Sequence, residues 1–129
     1  MNTDDFERKM KLRILRSDSH GITQESLEWA KKWHSLVEPT RVYLFYQESP
    51  WDFVTYVVDD KGWAIRYSGF SWGYGGEGPR GLMMLLESFG WLAPDCTLQP
   101  TPHVPGAWSI TPNGIIKVEW LPPWTFPIV

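Results

Sequence analysis

Between residues 41 and 68 the chain offers three short runs of β-branched and aromatic residues separated by turn signals, and this pattern leaves few folds open. The runs "RVYLFYQ" (41–47), "DFVTYVVD" (52–59) and "WAIRYS" (63–68) each have the length and composition of a strand. The connections "ESPW" and "DDKG" have room only for tight turns. Strands joined in this way pair antiparallel, so the pattern predicts a three-stranded meander. In the third strand Trp63, Ile65 and Tyr67 face one way, and Ala64, Arg66 and Ser68 the other.

Helical periodicity flanks this meander. Residues 4–16 predict a first helix, with Phe6, Met10 and Arg13 on one line. Its acids come first and Arg8, Lys9, Lys11, Arg13 and Arg16 follow, the order a helix dipole favours. Thr23 is the expected N-cap of a second helix running to Val37, with Leu27, Ala30, His34 and Val37 on one face and Trp29, Trp33 and Leu36 beside it. Here His34 reads as a partly buried, hydrogen-bonded histidine. Residues 79–89 predict a third helix, in which Leu82, Leu85, Leu86 and Phe89 form a stripe. Pro79 suits its first position and Gly90 its stop. A proline-rich loop (93–107) follows, then strands at 108–110 and 115–120 around the turn "TPNG", then the tail "LPPWTFPIV" (121–129). The predicted fold is α+β: an antiparallel sheet of about five strands, covered on one side by two N-terminal helices and one helix inserted after the third strand. A single domain is expected over 1–129, with a helical part (1–38), the sheet with its inserted helix (39–120) and the tail.

Composition narrows the function classes. Hydrophobic residues make up 43% of the 129 and charged residues 21%, so the chain can bury a core without cross-links. Its single cysteine, Cys96, fits a reducing compartment. No apolar run suits a membrane span, and the acidic opening "MNTDDFERKMK" is unlike a signal peptide, so a cytoplasmic protein without a membrane partner is expected. A net charge of −3 argues against duplex nucleic acid, and the basic cluster at 8–16 reads as a solvated helix face. Nine tryptophans exceed what a core of this size needs, which points to a pocket or a subunit interface. With the apolar tail, this leads us to expect a homo-oligomer.

The most loop-like stretch, "FSWGYGGEGPRG", stands directly before the third helix. Gly73, Gly75 and Gly78 satisfy G-x-G-x-x-G, but hairpin-connected strands precede it and no parallel strand with a ribose-binding acid follows, so the dinucleotide fingerprint is rejected. No Lys-Ser/Thr pair completes a Walker loop. The physics of the loop remains. Glycine N–H groups can approach a phosphate closely, and the third helix points its positive end there. Arg66 and Arg80 bring charge, while Tyr67, Phe70, Trp72 and Tyr74 offer faces for a base. The expected ligand-binding set is therefore Arg66, Tyr67, Phe70, Trp72, Gly73, Tyr74, Gly75, Gly76, Gly78 and Arg80, for a small nucleotide-derived ligand. Glu77 opposes a phosphate unless it turns outward. The competing reading makes the loop only a corner of the fold.

Catalysis finds less support. His20, His34 and His103 are scattered without metal-ligand spacing, Cys96 carries no nucleophile signature, and Glu119 lacks a partner acid. No catalytic residue, metal or cofactor is expected.

The block "WGYGGEGPRGLMMLLESF" resembles one found in small phage and bacterial domains, a W-G-Y-G-G-x-G-P before an aliphatic helix. It also resembles phage anti-defence proteins that sequester cyclic nucleotide signals, the Thoeris anti-defence sponges among them. The likeness spans residues 72–89 and carries over Trp72, Gly73, Tyr74, Gly75, Gly76, Gly78 and Pro79. It implies a non-catalytic, oligomeric protein that traps an immune messenger. The alternative is a protein-interaction module docking through Trp124, Phe126 and their prolines.

Overall fold

The computed structural model describes residues 2–18, 20–48, 51–73, 75–91 and 106–117. The proline-rich loop up to residue 105, the tail, Cys96, His103, Glu119, Trp124 and Phe126 lie outside them, while Gly106 and Ala107, expected to end that loop, belong to a strand. The expected α+β class is found. The three strands of the meander are β2 (Arg41–Glu48), β3 (Trp51–Val58) and β4 (Trp63–Tyr67), paired antiparallel in sequence order. A last hairpin, β5 (Gly106–Thr111) and β6 (Gly114–Lys117), adds to β2.

The sixth strand, β1 (Arg13–Ser17), was expected to be helix. Helix α1 is short, Thr3–Lys9, and Lys11 then takes a left-handed φ of 57° that turns the chain out of it. From Met10 onward the apolar residues alternate, and Leu12 and Ile14 pack on one sheet face. That is strand periodicity. β1 pairs parallel with β4, giving a mixed six-stranded sheet in the order β1-β4-β3-β2-β5-β6.

Helices α2 (Thr23–Trp33) and α3 (Glu77–Ser88) cover one face, where Val42, Leu44, Ile65, Tyr67 and Trp108 meet Leu82, Leu85 and Leu86. The expectation of helices on one side only is corrected by α1. Its Phe6 is fully buried on the opposite face, stacked on Phe45 at 4.6 Å and packed against Tyr43 and Tyr56. Alternate residues of β2 thus enter two separate cores, which explains why "VYLFY" reads as an unbroken apolar run.

Two details of α2 also differ from expectation. Ile22, not Thr23, is its N-cap, because the Thr23 hydroxyl donates to the Gly69 carbonyl at 2.6 Å instead of capping its own helix. His34 follows the helix end and is exposed, its Nδ1 lying 2.8 Å from the Lys31 carbonyl.

Candidate functional site

The segment from β4 to α3 divides into a buried first half and an open second half. Asp18, just past β1, holds the first half. One of its carboxylate oxygens accepts the Ser68 N–H at 2.8 Å and the Ser68 hydroxyl, and the other accepts the Ser26 hydroxyl at 2.7 Å. Ser26 Oγ in turn accepts the Gly69 N–H at 2.9 Å. The polar groups at this buried crossing are therefore satisfied, as buried polar groups must be. Phe70 and Trp72 then drop into the core, 1% and 0% exposed.

Beyond Trp72 the chain surfaces. Gly73 adopts a left-handed φ of 85°, where a side chain would be strained. Gly75 is exposed, with nothing near the place a Cβ would occupy. Gly76 is the N-cap of α3 and supplies no side-chain hydrogen bond, and the first turn of α3 carries the exposed Glu77 and Arg80. Gly78 has a different reason to be glycine. A Cβ there would collide with the Ser71 side chain. Helix α3 starts at Glu77, two residues before the expected start, so the buried Pro79 stands at its third position and not its first; its missing N–H is still one of those a helix start leaves without an intrahelical acceptor.

Of the expected site, Gly73, Gly75, Gly76, Gly78 and Arg80 gather at the start of α3. Tyr74 lies outside the described residues. The stacking role expected of Tyr67, Phe70 and Trp72 is corrected, because their rings are core. Tyr67 packs on Phe70 and Trp33, and Trp72 meets Phe53 edge-on at 4.8 Å and Trp108 at 6.4 Å. Burial, then the charge of Asp18, pushes the Tyr67 phenol pKa up, so its hydroxyl stays neutral. The Trp72 indole N–H is buried, with no hydrogen-bond partner among the described residues.

Arg66 is also elsewhere. The strand alternation puts it on the α1 face, where its guanidinium pairs with Glu7 at 2.5 Å and its Nε donates to Ser17 Oγ at 2.9 Å. Tyr56 donates to the same Glu7 oxygen at 2.8 Å. Burial works against the Arg66 charge, but Glu7 and Tyr56 together outweigh it and raise the pKa. This cluster staples α1 to the sheet. Sequence reasoning missed it and the Asp18 network alike, since Glu7 and Arg66 stand 59 positions apart with no local signal.

Among the described residues no group of three or more His, Cys, Asp or Glu is arranged to hold a metal ion, and no helix is long and apolar enough to cross a membrane. Compared with protein-family models, curated proteins and solved structures, the chain has no match.

Proposed function

We propose that this chain is a non-catalytic binding protein that sequesters a phosphate-bearing nucleotide messenger of the cyclic ADP-ribose or cyclic oligonucleotide type, acting as a phage anti-defence sponge in the host cytoplasm. The observation that carries the reading is the start of α3. There the N-cap residue, Gly76, supplies no side-chain hydrogen bond, Gly75 before it is exposed with open space around it, and Arg80 is exposed in the first turn beside Glu77. Such a terminus presents N–H groups and a positive dipole end to an anion. The likeness of the block 72–89 to the sponges supports the same reading. The phosphate contact falls to the loop and Arg80, and base stacking is no longer assigned to the buried aromatics. Assembly into a homo-oligomer belongs to this proposal.

A thermal-shift titration with cyclic ADP-ribose isomers, ADP-ribose and cyclic dinucleotides tests it. Ligand bound only by the folded state raises the melting temperature with concentration, by about 2.7 kcal/mol of added stability at a hundred times Kd. The expected result is a shift with one compound, abolished by Arg80→Ala, and recovery of that compound unaltered after heat denaturation. No shift with any compound, or a shift that Arg80→Ala leaves intact, overturns the assignment of the loop. Recovery of altered compound makes the protein an enzyme.

A second reading, docking onto a protein partner, is favoured by Leu36 and Met84, apolar side chains 43% and 56% exposed, in the turn after α2 and on α3. It expects partner binding to survive Arg80→Ala and to fail in Leu36→Ser with Met84→Ser.

A further inference from the structure

The basic cluster at residues 8–16 is not a helix face. It is split between the end of α1 and the edge strand β1, and β1 brings it beside tryptophan. Those residues include five of the twelve basic side chains and none of the fifteen acidic ones, in a chain of net charge −3. Arg13 is the register partner of Trp63, and its guanidinium lies 4.0 Å from the centre of a Trp63 ring.

The same sheet face carries a second cation on tryptophan. Helix α2 lies over β4, since Trp33 contacts Tyr67 at 6.1 Å and Ser26 bonds Asp18. The Thr23 methyl abuts Gly81 of α3, which identifies that flank of α2 as the inner one. At about 100° per residue, Ser26 falls between Thr23 and the pair Trp29 and Trp33 around the helix, so these rings occupy the outer flank, toward β1. They stack on each other at 4.7 Å, and Lys32 Nζ lies 4.8 Å over Trp29. Trp29, Trp33 and Trp63 are all half-buried and packed against the α2–α3 core, and a base reaches Trp63 and Trp29 where the exposed side chains of Arg13 and Lys32 now lie over them. Arg16 extends the positive charge along β1 on the same face, opposite Ile65.

We infer that this edge is a binding surface for single-stranded nucleic acid, with bases stacked on Trp29, Trp33 and Trp63 and phosphates held by Arg13, Arg16 and Lys32. Anchored rings lose little entropy on stacking, and aromatic platforms interleaved with cations are how single strands are held without sequence preference. A planar guanidinium already lying over an indole can cover a base from the other side or turn to its phosphate. A duplex buries its base faces within its own stack and offers the tryptophans nothing. An acidic peptide adding to the sheet edge is disfavoured as well. β1 is only five residues long and bulged between Ile14 and Arg16, both features that blunt strand addition. The surface is distinct from the glycine loop, so the two assignments stand or fall separately.

The test is fluorescence anisotropy of the full chain with a labelled oligodeoxythymidine about a dozen nucleotides long, alongside tryptophan emission. The expected results are binding that quenches tryptophan and weakens from about 50 to 200 mM salt. Arg13→Ala with Lys32→Ala is expected to weaken it at least tenfold, roughly, and Trp63→Ala by roughly 5- to 150-fold. Arg80→Ala leaves it unchanged. Melting curves show which variants remain folded; the double variant alters only exposed side chains and decides the matter if Trp63→Ala does not fold. Failure to bind, binding that the double variant leaves intact, or loss of binding in Arg80→Ala overturns the proposal. So does equal competition by a duplex or by polyglutamate, which shows a surface reading charge alone.

Discussion

Asp18 joins three parts of the chain that are distant in sequence. Its carboxylate accepts from Ser68 and from Ser26, and Ser26 then holds Gly69, so the end of β1, the middle of α2 and the exit from β4 share one hydrogen-bond network. Removing the acceptor leaves the buried Ser26 hydroxyl and the half-buried Ser68 donors without it, at about 1–3 kcal/mol for a buried donor. Asp18→Ala is therefore expected to lower stability by about 3 kcal/mol in urea denaturation, with the denaturant slope unchanged. The loop glycines separate at this scale too. Gly75 has open space and Gly78 abuts Ser71. Gly78→Ala is expected to cost about 1–3 kcal/mol by overpacking, and Gly75→Ala to leave the melting temperature nearly unchanged. A ligand-binding loop then shows itself as a Gly75→Ala variant of normal stability and reduced binding, a combination that a purely structural corner does not produce.

Among the elements, α1 has the most influence for its size. It is seven residues long, too short to persist alone, and is held by its Asn2–Asp5 capping box, by Phe6 and by the Glu7–Arg66 pair. Because Phe6 fills the core of the second sheet face, Phe6→Ala is expected to cost about 3–5 kcal/mol. Glu7→Gln leaves Arg66 half-buried without its counter-charge but keeps an acceptor for Tyr56, so its expected cost is smaller. If α1 were only an appendage, Phe6→Ala would leave the unfolding midpoint of the sheet where it is; the burial of Tyr43, Phe45 and Tyr56 around Phe6 says otherwise. β1 is short, bulged and basic, which protects it from pairing with other strands.

For the molecule as a whole, two core phenols set an alkaline limit to stability. Burial raises the pKa of Tyr56, with Glu7 adding to it, and burial followed by Asp18 does the same for Tyr67. In the unfolded chain each ionises near 10.0, so above that pH the unfolded state holds fewer protons than the folded one. Stability is then fully present below this pH and falls as pH rises beyond it, by about 1.4 kcal/mol per pH unit for each tyrosine. Urea denaturation across this range is expected to show that slope, and Tyr56→Phe to halve it. A flat profile would mean that the phenols ionise in place.

The sequence by itself determined what depends on neighbours a few positions apart. Alternation and tight turns placed β2, β3 and β4, and the leucine stripe placed α3, because side-chain period and turn chemistry are local properties. Alternation even set Arg66 on the opposite face from Tyr67, although the loop reading grouped the two in one site. Residues 10–14 carry both the alternation of a strand and the Phe6–Met10–Arg13 line of a helix, and tertiary structure decided between them, since β4 provides the backbone partners that a helix would otherwise supply internally. It also decided that the sheet is buried on both faces, that Arg66 meets Glu7, and that Tyr67, Phe70 and Trp72 are core rather than binding surface. A tryptophan or an arginine reads the same in sequence whether it faces solvent or packing partners. Which of these it meets depends on where distant segments come to lie, and local periodicity does not encode that.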